Sequence, residues 1–506
     1  MSPARPAAVV VLAAGEGTRM RSAIPKVLHT VGGRSLIHHA VVAAAALEPE
    51  HLVVVVGHGR DQVKAHLAEV APEAATVVQD QQRGTGHAVE CALRDLPGLA
   101  GTLVVTYGDV PLLTGDTLRS LVAEHESARN AVTILTAHLD VPTGYGRIVR
   151  DASGTVTAVV EQQDASEAQR QIREINSGMY AFDAATLRAA LARLTSDNSQ
   201  GERYLTDVVG IVSSDGAAVG ALPIDDTWQT EGVNDRVQLA ALHRELNRRT
   251  VESWMREGVT VRDPQTTWID VGVRLEADTV LEPNTLLRGM TTVATGAQVG
   301  PNTELVDTEV GARAEISNAT SYAAVIGPDA TVGPYTFLRP GTRLGRGAKA
   351  GGFVEMKNAV IGDDAKVPHL SYVGDADVGE GANIGAGTIF ANYDGVAKHH
   401  TDVGAHAFIG SDSVLVAPAQ IGDGAYVAAG STVTKRVDPG ELAVARGQQR
   451  NIRGWVARRR AGTRSAAAAE RAAERAAGPT EQVENGSTEQ DQNGQQQQGN
   501  SEGPDA

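Results

Sequence analysis

Two glycines follow an aliphatic run in Leu12-Ala13-Ala14-Gly15-Glu16-Gly17-Thr18-Arg19-Met20, and Lys26 comes soon after in Ile24-Pro25-Lys26. A glycine loop at the end of a strand exposes backbone N–H groups that can cradle phosphate oxygens. Arg19 and Lys26 add two cations suited to neutralising a triphosphate. The loop is not a dinucleotide fingerprint, because Met20 stands where the third glycine belongs, and it is not a P-loop, because no Gly-Lys-Ser/Thr follows. A second candidate chemistry lies downstream, at His369 in Val367-Pro368-His369-Leu370-Ser371-Tyr372. An ordinary imidazole titrates near neutrality and suits general-base work. A lone surface histidine is commonly ornamental. Here Arg339, Lys357, Tyr372, Asn383, Asn392, Tyr393, Lys398 and Arg446 add cations and donors around it in the sequence, which together describe an anion site.

The elements that must position these residues fall into four segments. Residues 1–233 alternate helical patterns with short Val-rich runs: Ala8–Leu12, Leu52–Val56, Thr76–Gln79, Leu103–Thr106, Val132–Ala137 and Val156–Glu161. Such runs are apolar on both faces, as in a sheet covered by helices on each side, so the spacing predicts an open, doubly wound, Rossmann-like α/β domain. Ligands of that class sit at the carboxyl ends of the strands, where Asp109 closes the run from Leu103. The plain alternative has Asp109 capping a helix after Pro111 and Asn234 starting the next helix. Residues 234–257 lack Gly and Pro and place Leu239, Leu242 and Leu246 on one face, which predicts one linking helix holding two domains apart.

Residues 258–455 carry an aliphatic every six positions: Ile269, Leu275, Leu281, Leu287, Val293, Val299 and Leu305. After a slip, Ile326, Val332, Leu338, Leu344 and Ala350 repeat the spacing, then Ile361, Val367 and Val373, then Val378, Ile384 and Phe390. Val403, Ile409, Leu415, Ile421, Val427 and Val433 continue it. A period of six is neither helical nor a plain alternating strand; it marks a hexapeptide β-helix, an all-β domain whose inward aliphatics stack from coil to coil. The break from Ala391 to Asp402 reads as a loop thrown out from a corner. Residues 456–506 are first basic and helical in composition, then Gln-, Glu- and Gly-rich, and from about residue 477 they are expected to be disordered.

The 506 residues suffice for two or three domains. A formal net charge of −16 argues against a general nucleic-acid or anionic-membrane binder. Cys91 is the single cysteine, so no disulfide framework or Cys-based zinc site exists, and its apolar-periodic surroundings make it a helix core residue. The Pro6-to-Ala14 run is too short for a membrane span and runs into the glycine loop, which leaves a cytoplasmic protein as the expectation.

The loop Leu12–Met20 with Pro25-Lys26 resembles the sugar-nucleotidyltransferase family. Further matches are Gln79 with Gly84-Thr85-Gly86-His87, Tyr107-Gly108-Asp109, Gly144-Tyr145-Gly146-Arg147, Glu161, Ile175-Asn176-Ser177-Gly178 and Glu231-Gly232-Val233-Asn234. The resemblance implies a uridylyl site made by Leu12, Ala13, Ala14, Gly15, Lys26, Gln79, Gly84, Thr85, Tyr107, Gly108, Asp109, Gly146, Glu161, Asn176 and Asn234. It also implies Mg2+ on Asp109 and Asn234, Arg19 and Lys26 acting on the triphosphate, and UTP as co-substrate. Arg83 departs from the pattern, since relatives carry an apolar residue there.

The hexapeptide segment resembles acyltransferases of the left-handed parallel β-helix type, through Leu338-Arg339-Pro340-Gly341, Val354-Glu355-Met356-Lys357, His369-Leu370-Ser371-Tyr372 and Asn383-Ile384-Gly385-Ala386-Gly387. Asn392-Tyr393-Asp394-Gly395, Ile409-Gly410-Ser411 and Ala428-Ala429-Gly430 also fit. Together the two domains resemble the bifunctional uridylyltransferase/acetyltransferases that act on glucosamine-1-phosphate. That likeness implies His369 as general base on the sugar amine and Arg339, Lys357, Tyr372, Asn383 and Lys398 around the sugar phosphate. Ala386, Asn392, Tyr393, Ser411, Ala429 and Arg446 would line the acetyl-CoA path of a homotrimer. The product would be UDP-N-acetylglucosamine, a precursor of bacterial cell walls. Two rival readings keep the same domains: an adenylyl- or guanylyltransferase with a regulatory β-helix, or an enzyme whose β-helix is only a trimerisation scaffold.

Overall fold

The computed structural model describes residues 5–478. Its first sheet is built from β1 (Ala8–Ala13), β4 (His51–Val56), β5 (Ala75–Val78), β6 (Thr102–Tyr107), β7 (Val132–His138), β8 (Gly146–Arg150), β9 (Val156–Val160), β10 (Glu174–Asp183) and β11 (Val219–Ile224), while β2 (Thr30–Val31) and β3 (Arg34–Ser35) form a separate hairpin. The strand order is β11-β7-β10-β6-β1-β4-β5, with β8 on β10 and β9 on β8. Neighbours run parallel except that β10 is antiparallel to β6, β7 and β8, and β8 to β9. Three of these strands escape the Val-rich pattern. β10 carries Asn176, Ser177 and Gly178 at a register shift, and β11 contains Pro223, tolerated because it is an edge strand. β8 is a short segment, Gly-Arg-Ile-Val-Arg.

Helices α1 (Leu36–Ala45), α2 (Arg60–Val70), α3 (Thr85–Arg94), α4 (Gly115–Ala128), α5 (Glu167–Arg170), α6 (Ala184–Leu191) and α7 (Asp207–Ser214) complete this part. Two buried clusters lie against the sheet. One includes Val10, Val53, Val105 and α3, and the other Val9, Val11, Val54 and α1, as expected where alternate side chains of one strand feed opposite faces. Cys91 is buried within α3, where Arg94 Nη2 lies 2.7 Å from its sulfur.

The helix α8 (Arg236–Arg256) starts at Asp235, whose side chain accepts from the N–H groups of Val237 and Gln238, so neither Asn234 nor any residue before it is the cap. The single linking helix expected over 234–257 is present, and it is packed at both ends. Leu242, with Leu239 and Leu246 beside it, joins Met20, Val31, Leu36 and Leu112, while Val251 enters the core of the β-helix. The buried Asn247 clamps the second contact: its amide donates to Thr267 O at 2.8 Å and its Oδ1 accepts from Ile269 N at 2.9 Å.

Near this junction, burial drives the His39 imidazole down to about 4, with Arg34 and His38 adding to the effect and the bonded Val31 carbonyl opposing it. The unfolded chain takes up that proton near 6.5. The neutral ring therefore contributes stability that is whole above pH 6.5 and is lost as the pH falls through about 4. The thermal midpoint is expected to drop across this window, and His39→Gln to flatten the drop relative to wild type. Equal slopes in both proteins would exclude His39 as a source.

From Thr260 onward the chain coils. Every aliphatic named above in the six-residue series is buried in one continuous core. Parallel pairs join Ile269 to Leu287, Leu275 to Val293 and Leu281 to Val299, so one coil takes three hexapeptides. This is the parallel β-helix that the repeats predict, and it fits the left-handed type. The slip in spacing after Leu305 is filled by Val310 and Ile316, which are equally buried. At the break, the strand Ile389–Ala391 leads into a loop with an antiparallel bridge from Tyr393 to Lys398, and Thr401–Val403 resumes the coil.

A second compact unit begins at Arg446. It contains α9 (Trp455–Arg459) and α10 (Arg464–Ala477), with Thr463 capping α10 and Arg460 lying 5.5 Å from the Trp455 ring centroid. The disorder expected from residue 477 falls almost wholly outside the described residues. No helix among the described residues is long and apolar enough to cross a membrane.

Candidate active sites

Strands β1, β5 and β6 end on the same side of the sheet, and their following residues line a cavity of about 340 Å³. Leu12, Ala13, Ala14, Gly15, Lys26, Gln79, Gly84, Thr85, Tyr107, Asp109 and Asn234 all border it. Gly17 lets the loop fold over: its φ of +63° is left-handed, and a Cβ there would meet the Lys26 Cβ at 2.6 Å. Gln79 donates to Gly84 O at 3.1 Å, which holds the turn before α3. A second cavity of about 370 Å³ shares Tyr107, Asp109 and Asn234 and adds Arg19, Thr143, Gly144, Tyr145 and Ser177. The shared residues form the seam between the two cavities.

Backbone contacts fix that seam. Val233 N donates to Asp109 O at 3.0 Å, so the chain before α8 is tied to the end of β6. Lys26 Nζ pairs with Asp109 Oδ2, and Arg19 Nη2 donates to Asn234 Oδ1 at 2.9 Å. The two cations and the two oxygen donors named from sequence thus pair with one another. Asp109 does not cap α4, whose cap is Thr114.

Gly108, Gly146, Glu161 and Asn176 do not line either cavity. Gly108 packs the strand ends, its N–H donating to Leu12 O at 2.9 Å. Gly146 lies against Glu161 and Asn176, where an added Cβ would be 3.5 Å from each. Burial raises the Glu161 carboxyl above its usual range, with Asp207 and Asp164 adding to it and the Thr206 hydroxyl opposing. Sequence reasoning missed Gln82, whose amide donates to Ala14 O at 2.7 Å, and the bond from Tyr145 Oη to Glu231 Oε2 at 2.8 Å. Burial and the Glu231 carboxylate together push the Tyr145 phenol up, so it stays a donor. Tyr145 and Glu231 stood inside quoted motifs, but only chain packing brings the motifs together. Arg83 points elsewhere, lining a separate cavity with His87, Cys91 and Arg94.

On the β-helix, Arg339 directly follows the strand Thr336–Leu338 and Lys357 lies on the adjacent strand Glu355–Ile361, with Arg339 N donating to Met356 O at 2.8 Å and Gly374 continuing the row beside Lys357. Arg339 Nη1 donates to Glu355 Oε1 at 2.9 Å. The inserted loop returns Lys398 to Lys357, and that neighbouring ammonium lowers the Lys398 amine below its usual range. Two facing ammonium groups make a local site for an anion. Asp375, which sequence reasoning missed, organises them. Burial alone would raise its carboxyl, but bonds from Asn358 at 2.9 Å and Asn392 at 2.5 Å, with Lys357 and Lys398 nearby, outweigh burial and hold it low. Asn392 also reaches Tyr372 Oη at 3.4 Å.

His369 ends the strand Lys366–His369 with its ring exposed and its carbonyl fixed by Gly387 N at 3.2 Å and Ser371 Oγ at 2.8 Å. Asn383 pairs with Lys366 in the next coil. Ala386, Ser411 and Ala429 follow Ile384, Ile409 and Val427, which stack in register, so the three occupy the same corner of successive coils. Tyr393 is exposed on the inserted loop, and Arg446 opens the second unit.

Residues 9–207 match the MobA-like NTP transferase domain, and residues 400–435 match the bacterial transferase hexapeptide (six repeats). "Bifunctional protein GlmU" of Streptomyces avermitilis is 59% identical over 94% of this chain and 100% of its own. The protein of the same name from Corynebacterium efficiens is 56% identical over 91% of this chain and 96% of its own, and that of Thermobifida fusca is 58% identical over 94% and 99%. This chain belongs to the bifunctional GlmU family. As a member of the GlmU family it is a transferase, with a uridylyltransferase in the α/β part and an acetyltransferase on the hexapeptide coil. The passive-scaffold and adenylyl- or guanylyltransferase readings fall away at this point.

Proposed function

We propose that the β-helix acetylates glucosamine-1-phosphate with acetyl-CoA. The α/β part then joins the resulting N-acetylglucosamine-1-phosphate to UTP, releasing pyrophosphate and UDP-N-acetylglucosamine for cell-wall synthesis. The observation that carries this reading is the pair of cavities meeting at Tyr107, Asp109 and Asn234. A triphosphate in one and a sugar phosphate in the other would meet at that seam.

In the uridylyl step, a sugar-phosphate oxygen attacks the α-phosphorus of UTP. Such transfer depends on positioning and charge neutralisation and needs no covalent enzyme nucleophile. Arg19 and Lys26 hold the triphosphate, the Gly15 loop lends backbone donors, and Gln79 with Gly84 and Thr85 faces the base. Gly146, Glu161 and Asn176 support the sugar-side wall. Asp109 and Asn234 offer a carboxylate and an amide oxygen bordering both cavities, a donor set that suits Mg2+, which takes few protein oxygens and completes its shell with phosphate and water. Mg2+ bound there supplies charge neutralisation on the phosphates.

In the acetyl step, Arg339, Lys357 and Lys398 hold the sugar phosphate, and Tyr372 and Asn383 orient the sugar. His369 takes the proton from the amine as its nitrogen attacks the thioester carbon; the C–S bond then breaks and coenzyme A leaves as the thiol, taking up a proton. Ala386, Asn392, Tyr393, Ser411 and Ala429, which lie on the coil and its inserted loop, would line the acetyl-CoA path. Homotrimer assembly, with acetyl sites shared between subunits, is supported by the exposed ladder of Tyr335, Phe353 and Leu370 on successive coils, each more than 60% exposed. The reading places the enzyme in the cytoplasm with its nucleotide substrates.

The test is a pair of release assays on the full chain. Thiol release from acetyl-CoA is expected only when glucosamine-1-phosphate is added. Pyrophosphate release is expected with UTP and N-acetylglucosamine-1-phosphate, and at far lower rates with ATP, GTP or CTP. A folded protein that releases no thiol, or one that prefers another nucleotide, would sink the corresponding half.

A further inference from the structure

We propose that Asp377, His400 and Asp402 form a binding site for a divalent transition metal of the zinc class on the outer wall of the β-helix, at the foot of the inserted loop. Asp377 and Asp402 are register partners on adjacent parallel strands. Such strands run about 4.8 Å apart, and like charges directly opposite one another destabilise a sheet. Their neighbours along the row do not relieve the repulsion, because Asp377 is flanked by Val360 and Asp402 by Gln420. Among the described residues neither carboxylate has a Lys or Arg partner; each is paired only with His400.

The imidazole stands between them at a telling distance. His400 Nε2 lies 3.4 Å from Asp377 Oδ2 and 3.3 Å from Asp402 Oδ1, beyond an ordinary N–H···O hydrogen bond. Ligand atoms held about 2.0–2.1 Å from one tetrahedral metal ion are separated by about 3.3–3.4 Å. One ligand atom from each of the three residues falls within 4.8 Å of the others. A nitrogen with two carboxylate oxygens suits zinc and its borderline neighbours better than magnesium or calcium, which favour oxygen alone. The backbone is already set: Ala419 N donates to His400 O at 3.3 Å, and the buried Thr401 follows. All three side chains are exposed, which leaves the remaining coordination position open to water.

An ion here would pin one end of the loop that carries Tyr393 and Lys398. That consequence rests on the acetyl-site reading; the metal site itself does not, so its test measures binding rather than turnover. Full-length protein is stripped with chelator and titrated with Co2+ as the probe, in wild type, His400→Gln and Asp402→Asn. Wild type is expected to take up one more equivalent than His400→Gln, which also separates this site from any ion at Asp109. Asp402→Asn should weaken that equivalent by at least about tenfold, since loss of even an outer-shell partner costs about 10–100-fold. Without metal, Asp402→Asn should unfold no earlier than wild type, because it removes one of the two facing charges. Equal uptake with equal affinity in wild type and His400→Gln would overturn the proposal, whether or not acetyl transfer is observed.

Discussion

His369→Ala is expected to lower acetyl transfer by about 10²–10⁴-fold, the usual worth of a positioned general base, while UTP-dependent pyrophosphate release stays at the wild-type rate. The ring is exposed and makes no hydrogen bond among the described residues, whereas the backbone carbonyl of the same residue is held by Gly387 and Ser371. Truncation therefore removes chemistry without removing packing, and the thermal midpoint should stay within about 0.5 kcal/mol of wild type in stability. Thiol release from acetyl-CoA measures the first activity and phosphate detection after pyrophosphatase the second. Acetyl transfer at more than a tenth of the wild-type rate would remove His369 from the base role. Loss of both activities would contradict independent sites.

Asp109→Asn should show the opposite pattern, with pyrophosphate release falling by about 10²–10³-fold and acetyl transfer intact. The substitution keeps the shape of the side chain but removes a charge that faces both cavities and pairs with Lys26. Both partners of that pair are largely shielded from water, so the uncompensated Lys26 ammonium also costs stability, which a parallel unfolding measurement accounts for. The discriminating readout is the Mg2+ concentration dependence of the remaining rate. A shift to higher half-saturating Mg2+ supports Asp109 as a ligand; an unchanged curve removes it from the metal site.

Much of the fold is legible because its signals are local or repeated. Each buried aliphatic of the coil sees nearly the same surroundings as the one a coil away, so Ile269 through Val433 state the same requirement many times. The Val-rich strands β1, β4 and β6 are apolar on both faces for a reason that needs no partner to be known. By contrast, β10 interrupts its own pattern at Asn176-Ser177-Gly178, where the strand shifts register beside the candidate site. A strand that bends to serve a site loses the regularity by which it could be found.

The amino-acid sequence by itself determined the glycine loop, the six-residue coil, the interruption after Ala391 and the residue types able to hold phosphates or move a proton. Only the tertiary structure decided which of those residues face one another. It brought Lys26 to Asp109 and Arg19 to Asn234, placed Tyr145 on Glu231, and set the unforeseen Asp375 between Lys357, Lys398 and Asn392. The reason is one of range: periodicity and turn chemistry act over a few residues, whereas a meeting of distant side chains depends on how strands pair and where loops return.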